Sequence, residues 1–462
     1  MTAKVEREKI SLNRWPVILF VVAIAVPWIF PIGPLRMSSY RIVLLFSVVP
    51  CIFHWLRGYS GQIRVVDILI ILFAFWRGLS LVVLHGAEAI QSTGVSLLET
   101  LGAYFLARCC VRNADDFQAF VKVLFVLVAA LLPLALLETV TGWKATLRIF
   151  GVLLPTYPEE PMGRAGFWRA QGPFEHPILF GVVCNAGFAL VFLVLGFGRP
   201  LLEKCCKAGA IAFAAALSLS AGPILGVALQ CLLIAWKRLA DAIGLQLVWL
   251  MTIIFSAMAL AFSWITGRPL VELIGRFTFD PMSYWSRNLI WEYGWSSVSN
   301  HSLFGTGLGR WDRPHWMAAS IDNFWLCTAV THGLPALVLI VGSVAVCLVA
   351  VGLKRGLDER HRACRSAYLI SIVSCSAVGQ TVHLWDGPFA LFLFLLGSGI
   401  WLLDVDTSGA HPYPQNRRSR SGYSNRRQAA NPKAAPSRGY TEGRVTRQVR
   451  RDGGLPDAAQ PP

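Results

Sequence analysis

The polar chemistry of this chain is concentrated in two stretches, residues 139–175 and 266–322. The longer one carries Arg268, Arg276, Arg287, Arg310 and Arg313 together with His301, His315, Asp280, Asp312 and Asp322. It also holds Trp285, Trp291, Trp295, Trp311 and Trp316, with Trp325 just beyond, so six of the 17 tryptophans fall within 41 residues. Guanidinium groups bind phosphate through a two-pronged fork and stay charged at any biological pH. Indole faces offer flat apolar surface with a polar edge, which suits the C–H face of a sugar ring. Read as a helix, residues 283–298 put Tyr284, Arg287, Trp291, Trp295 and Val298 on one face, the pattern of a helix lying in a membrane interface. An aromatic belt with snorkelling arginines would use the same residues. The shorter stretch carries Arg164 and Arg169, then Glu175-His176-Pro177 at the mouth of an apolar run. Pro177 suits a first helical turn and Glu175 its positive end, which leaves His176 either facing a ligand or capping that helix. Gly305-x-Gly307-x-Gly309 follows no strand and opens no helix, which argues against a dinucleotide site.

These residues must be held by elements that live in a bilayer. Apolar residues make up 55% of the chain and charged residues 15%, against roughly 25% charged in an average soluble domain. The mean hydropathy of +0.54 points the same way. The net charge of +16 is scattered between apolar runs rather than gathered in a stripe, so nucleic acid is not the partner. The eleven cysteines lie in or beside apolar runs, and no Cys/His spacing matches a metal site.

A crossing needs about 20 apolar residues. Runs near 15–34, 42–56, 66–84, 93–107, 117–138, 176–197, 205–220, 223–236, 245–265, 323–352, 366–384 and 388–403 give twelve expected spans. The first follows a basic start like a signal peptide, but no small-residue cleavage site follows, so it reads as a retained span. Outside the C-terminal tail, this map puts 18 Lys/Arg on the side of the termini and 11 on the other. The positive-inside rule then places residues 1–14 and both termini in the cytoplasm and both polar loops outside. Residues 404–462, with 11 basic and 5 acidic residues and no apolar periodicity, are expected to be disordered, a basic cytoplasmic tail. The expected fold is all-α: a polytopic transmembrane helical bundle of about 12 spans with a long helical outer loop.

Two charges fall inside the spans, Arg77 and Glu99. At 1.5 Å rise per residue both lie roughly 10 Å below the outer surface. Burying a charge there costs at least about 2.5 kcal/mol, so each needs a partner or water. Their matched depth and opposite sign predict an intramembrane pair, either structural or forming the wall of a ligand cavity.

In order along the chain, four segments resemble the bacterial O-antigen ligase and polysaccharide polymerase family. Arg169-Ala-Gln-Gly-Pro-Phe-Glu-His176-Pro177 resembles the segment before its central helix, and Ser218-Leu-Ser220-Ala-Gly-Pro its small-residue stretch. Arg287-Asn-Leu-Ile-Trp291 with His301-Ser-Leu-Phe-Gly305-Thr-Gly307-Leu-Gly309 resembles the start of its large periplasmic loop. Asp322-Asn323-Phe-Trp-Leu with Gly333-Leu-Pro resembles that loop's end, so the likeness spans about 164–341. Ser220-Ala221 stands where family members often have Ser-Arg, and Asp322-Asn323 where ligases often have His-Asn, which moves the likeness towards an exopolysaccharide polymerase.

The resemblance implies a multi-pass protein of the bacterial inner membrane and transfer of a polyprenyl-diphosphate-linked glycan to an acceptor glycan or lipid-linked sugar. It also implies an outward-facing site, inversion at the anomeric carbon, no metal or other cofactor, and other polysaccharide-assembly proteins as partners. Arg164, Arg169, His176, Arg276, Arg287 and Trp291 would hold the donor and offset charge on its leaving diphosphate. His301, His315 or Asp322 would take the proton of the attacking hydroxyl: histidine has the more suitable ordinary pKa, Asp322 the family position. The alternatives are a 12-span transporter, for which no internal repeat between residues 1–200 and 201–403 speaks, and a non-catalytic member of an assembly complex.

Overall fold

In the computed structural model of the chain, residues 14–32, 35–243 and 281–405 are described. Arg276, the expected span 245–265 and almost all of the basic tail lie outside them. The described residues start with α1 (Trp15–Ile24), a hairpin of β1 (Ile29–Ile32) and β2 (Leu35–Ser38), and α2 (Ser39–Leu56). Next come α3 (Val65–His85), α4 (Ile90–Leu97), α5 (Ala103–Cys110), α6 (Ala114–Thr141) and the short α7 (Ala145–Gly151). A second hairpin, β3 (Gly163–Arg164) and β4 (Phe167–Trp168), precedes α8 (Pro177–Leu190), α9 (Leu201–Leu217) and α10 (Ala221–Ile243). Then follow α11 (Pro281–Asn300), α12 (Phe324–Leu353), α13 (Glu359–Val378) and α14 (Asp386–Ser398).

Among the described residues, seven helical stretches are long and apolar enough to cross a bilayer: Ser39–Leu56, Val65–Cys110, Ala114–Thr141, Pro177–Leu195, Ala221–Asp241, Phe324–Leu353 and Asp386–Asp404. The second of these is a folded pair, because the chain turns back at Gly86 and brings Gly78 of α3 against Thr93 and Leu97. The expected spans 66–84 and 93–107 are therefore its two arms. Helix α9 has 17 residues and α13 opens with Glu359, Arg360 and His361, so neither meets that measure. The expected first span, 15–34, is corrected: its helix ends at Ile24 and the chain becomes a hairpin in which Ile29 pairs with Ser38. Pro31, which has no N–H, suits an edge position there better than a helix interior.

Burial identifies the centre of the bundle. Within their most apolar stretches, 83% of Pro177–Leu195 and 89% of Asp386–Asp404 is buried, against 22% of Ser39–Leu56. Outward-facing apolar side chains such as Phe46, Val49 and Phe75 suit contact with lipid tails. Helix α8 packs on α9, α10 and α13, and α14 on α5. Between α8, α10 and α13 the Gln230 amide donates to the Asn185 carbonyl, 2.7 Å, and Ser374 donates to Asn185 Oδ1, 3.0 Å.

Ion pairs fall at the two ends of the bundle. At one end, the tail end, Arg64 and Arg112 meet Asp404, Arg14 meets Asp116 and Arg360 meets Asp115. A buried pair lies close by: Arg108 Nε sits 3.2 Å from Asp67 Oδ1, and both side chains are fully enclosed. Its spare valences are filled, since Tyr104, Trp55 and the Arg64 N–H donate to Asp67 and Arg108 donates to the carbonyls of Ser60 and Gln62. That satisfaction lets an ion pair persist where its desolvation cost is high. The opposite end, the loop end, carries residues 142–176, 218–220, 301–323 and 379–385.

Helix α12 is broken at Gly333 (φ 80°, ψ 173°), with Pro335 just after. Pro335 cannot donate to the Thr331 carbonyl, and the Leu334 N–H turns to the Ser302 carbonyl instead, 2.7 Å away. The two orphaned carbonyls accept from the 301–322 loop, Thr306 N to Val330 O at 2.8 Å and Gly307 N to Thr331 O at 2.9 Å. Gly305 makes this approach feasible: its φ is 72°, and a Cβ there would sit 2.5 Å from the Val330 oxygen. The spaced glycines are thus a plug for a broken helix.

Candidate functional site

The loop end is organised by groups buried beneath it. Glu138, at the last turn of α6, accepts from the N–H groups of Gln171 and Gly172 at 2.9 and 3.0 Å. Lys144 Nζ donates to the Arg169 carbonyl, 2.7 Å. Arg169 itself is almost fully buried; its Nε donates to Ser218 O at 3.1 Å and its Nη2 to Ser220 Oγ at 2.7 Å. Arg164 Nη1 donates to Leu219 O, 3.0 Å, so two arginines clamp a turn whose central Leu219 has φ 46°. Burial, reinforced by Arg164, lowers the Arg169 guanidinium to about 10, which still leaves it charged at neutral pH. The expected role of Arg169 as a diphosphate ligand changes accordingly: its donors hold the 218–220 turn.

His176 caps α8, its Nδ1 accepting from Ile178 N at 3.2 Å. Burial lowers its pKa to about 4, helped by Arg169 and Lys144, so at neutral pH the ring is uncharged and its proton sits on Nε2. The Trp385 ring stands between His176, at 6.2 Å, and His383, at 5.6 Å, and its indole N–H donates to Glu175 at 2.6 Å.

A few residues along, Arg287, Trp291, Asp322, Asn323 and Gln380 enclose a cavity of about 10 Å³, room for one water. Arg287 Nε is buried there with no hydrogen-bond partner. Burial pulls its guanidinium down, Asp322 opposes that, and Arg164 adds to it. Asp322 is held against the 379–385 turn because Asn323 caps α12 and Phe324 N donates to Gly379 O. Beside the cavity, Trp291 stacks on Trp295 at 6.2 Å, and Trp285 on Trp316 at 5.9 Å. Trp295, Trp285 and Trp316 remain exposed.

Of the three expected bases, only Asp322 lines the Arg287 cavity. His301 lies 3.9 Å from Asp312 in an exposed turn, and His315 is exposed on the same loop. His383, which the sequence reading did not single out, sits with Nε2 4.0 Å from Cys327 Sγ and within the field of Asp322. The available signal was a histidine one residue from the end of the expected span 366–384.

The expected Arg77–Glu99 pair is corrected. Glu99 accepts from Arg41 Nε at 2.8 Å and from the Tyr40 hydroxyl, while Arg41 Nη2 bridges to Asp386 at 2.6 Å. Arg77 instead donates to Thr100 and His332, each at 3.3 Å, and lies over the rings of Phe389 and Phe73. Both residues line one larger cavity near the loop end. Arg41 was not anticipated because, at the start of a span, it counted as an ordinary loop charge.

No protein-family model matches the chain, and no curated protein matches it.

Proposed function

We propose that this protein is a membrane-embedded glycan polymerase or ligase, transferring a lipid-diphosphate-linked oligosaccharide to an acceptor sugar on the outer face of the bacterial inner membrane. The observation that carries this reading is Arg287: a half-buried side chain whose enclosed Nε has no partner, facing Asp322 and flanked by Arg164 and exposed tryptophans. Arg287 and Arg164 would take the donor's diphosphate and offset the charge that grows on it as the glycosidic bond breaks. Asp322 would accept the proton of the attacking hydroxyl, and the exposed indoles would carry sugar rings. The 10 Å³ cavity admits one water, so donor binding in this reading requires the loop end to open. The resemblance of residues 164–341 to the O-antigen ligase and polymerase family supports the same assignment.

The break in α12 favours a second reading, a transporter, because interrupted helices often line substrate paths in such proteins. One experiment separates the two. The full chain in detergent micelles, given a lipid-diphosphate oligosaccharide, would form longer glycan if it is a transferase, since micelles have no sides to transport between. Arg287→Lys keeps the charge but loses the fork, and product should fall at least about tenfold for equal protein. Normal product from Arg287→Lys would remove Arg287 from the mechanism, and no product from the wild type with a range of donors would favour the transporter.

A further inference from the structure

A cavity of about 370 Å³ opens near the loop end, lined by Arg36 of β2, Arg41 of α2, Arg77 of α3, and Ser92, Ser96 and Glu99 of the returning arm. Its charges do not balance. Arg41 is shared between the carboxylates of Glu99 and Asp386, so that trio carries one net negative charge. Arg77 hydrogen-bonds only to neutral groups, Thr100 and His332. The Arg36 side chain makes no hydrogen bond or ion pair among the described residues. Arg36 and Arg77 therefore face one void without a carboxylate hydrogen-bonded to either, and with the trio they leave one net positive charge. Ser96, 6% exposed, also lines the void, and its enclosed hydroxyl has no hydrogen-bond partner. Val95 is the one aliphatic residue in the lining, so the cavity suits a polar group rather than an acyl or isoprenoid chain.

We propose that this cavity binds a phosphate group, held by the forks of Arg36 and Arg77. Bidentate guanidinium recognition is best matched by phosphate oxygens, and the one net positive charge left by these groups calls for an anion. The volume lies at the small end of ligand sites, enough for a phosphate with a short polar appendage. Arg41 and the Tyr40 hydroxyl both donate to Glu99 Oε1, which offsets part of the charge this carboxylate brings to the cavity. The phosphate can come from a phospholipid headgroup or from a soluble diphosphate. Neither source depends on the transferase reading, because the site is tested by binding alone.

The full chain in nanodiscs of phosphatidylcholine is titrated with inorganic pyrophosphate at constant ionic strength, following its thermal midpoint. In parallel, native mass spectrometry counts the phosphatidylglycerol molecules that stay bound after release from mixed-lipid discs. Arg36 is exposed, so Arg36→Ala should fold normally; Ser96→Val adds bulk to the cavity wall, and Arg310→Ala in the 301–322 loop is the control. Saturable stabilisation by pyrophosphate, weakened at least tenfold in Arg36→Ala and Ser96→Val but not in Arg310→Ala, supports a soluble ligand. One retained phosphatidylglycerol per chain, lost in the same two variants, supports a headgroup. If the wild type binds neither probe, or both variants bind them as it does, the proposal is overturned.

Discussion

Replacing Glu99 and Arg41 tests which charges hold the membrane-embedded part of the loop end together. Glu99 and Arg41 are 8% and 12% exposed and meet at 2.8 Å. At an effective dielectric of about 20, unit charges about 4 Å apart attract by roughly 4 kcal/mol, before desolvation is subtracted. Removing one partner of a buried pair costs about 3–5 kcal/mol, mostly through the charge left behind. Glu99→Gln leaves Arg41 its second carboxylate, Asp386, so its cost should fall at or below the low end of that range. Arg41→Gln strands two carboxylates, Glu99 and Asp386, and should be the more damaging change, at the top of the range. The double variant should recover about 1–3 kcal/mol relative to the sum of the singles. Arg77 donates to no carboxylate, so the Arg77→Gln and Glu99→Gln pair should couple by less than about 1 kcal/mol. The assay is unfolding of the purified chain in mixed micelles by graded detergent, followed by tryptophan emission. A coupling between Arg77 and Glu99 as large as that between Arg41 and Glu99 would refute this account of the charges.

Other expectations follow from the same contacts. The His176 pKa is lowered to about 4 in the folded chain from an ordinary value near 6.5, so the unfolded chain binds more protons between those values. Stability should therefore fall as pH drops from about 6.5 towards 4, and His176→Asn, which keeps a capping acceptor, should flatten that slope in melts across the range. Gly305→Ala puts a Cβ 2.5 Å from the Val330 oxygen at a φ of 72° and should cost more than about 1 kcal/mol, read as a lower thermal midpoint. Arg169→Lys loses the hydrogen bonds to Ser218 and Ser220 and should lower protein yield in the membrane; normal yield would show that the 218–220 turn stands without it.

Properties that depend on neighbours in the chain were legible from sequence. Composition required a bilayer, and apolar run lengths located most of the helices. Pro177 and the cap at His176 marked where α8 begins, because a helix start is settled by a few adjacent residues. The tryptophan cluster and Arg287 stood out for the same reason. What sequence could not supply was the partner of each buried charge. Arg41 and Asp386 are 345 positions apart, and Arg77 and His332 are 255 apart. The matched depth of Arg77 and Glu99 was a fair argument, but depth fixes one coordinate of a side chain and the rotation of each helix about its axis fixes the rest. That rotation is set by packing, which turned Glu99 towards Arg41 and Tyr40 and Arg77 towards the broken α12. The same limit hid the work of the glycines: Gly305 and Gly307 read as a weak local motif until tertiary structure laid them against carbonyls that Gly333 and Pro335 had freed. Hydropathy determined that these segments enter a membrane. The contacts between helices far apart in sequence decided which of their polar groups are satisfied and which are left facing a cavity.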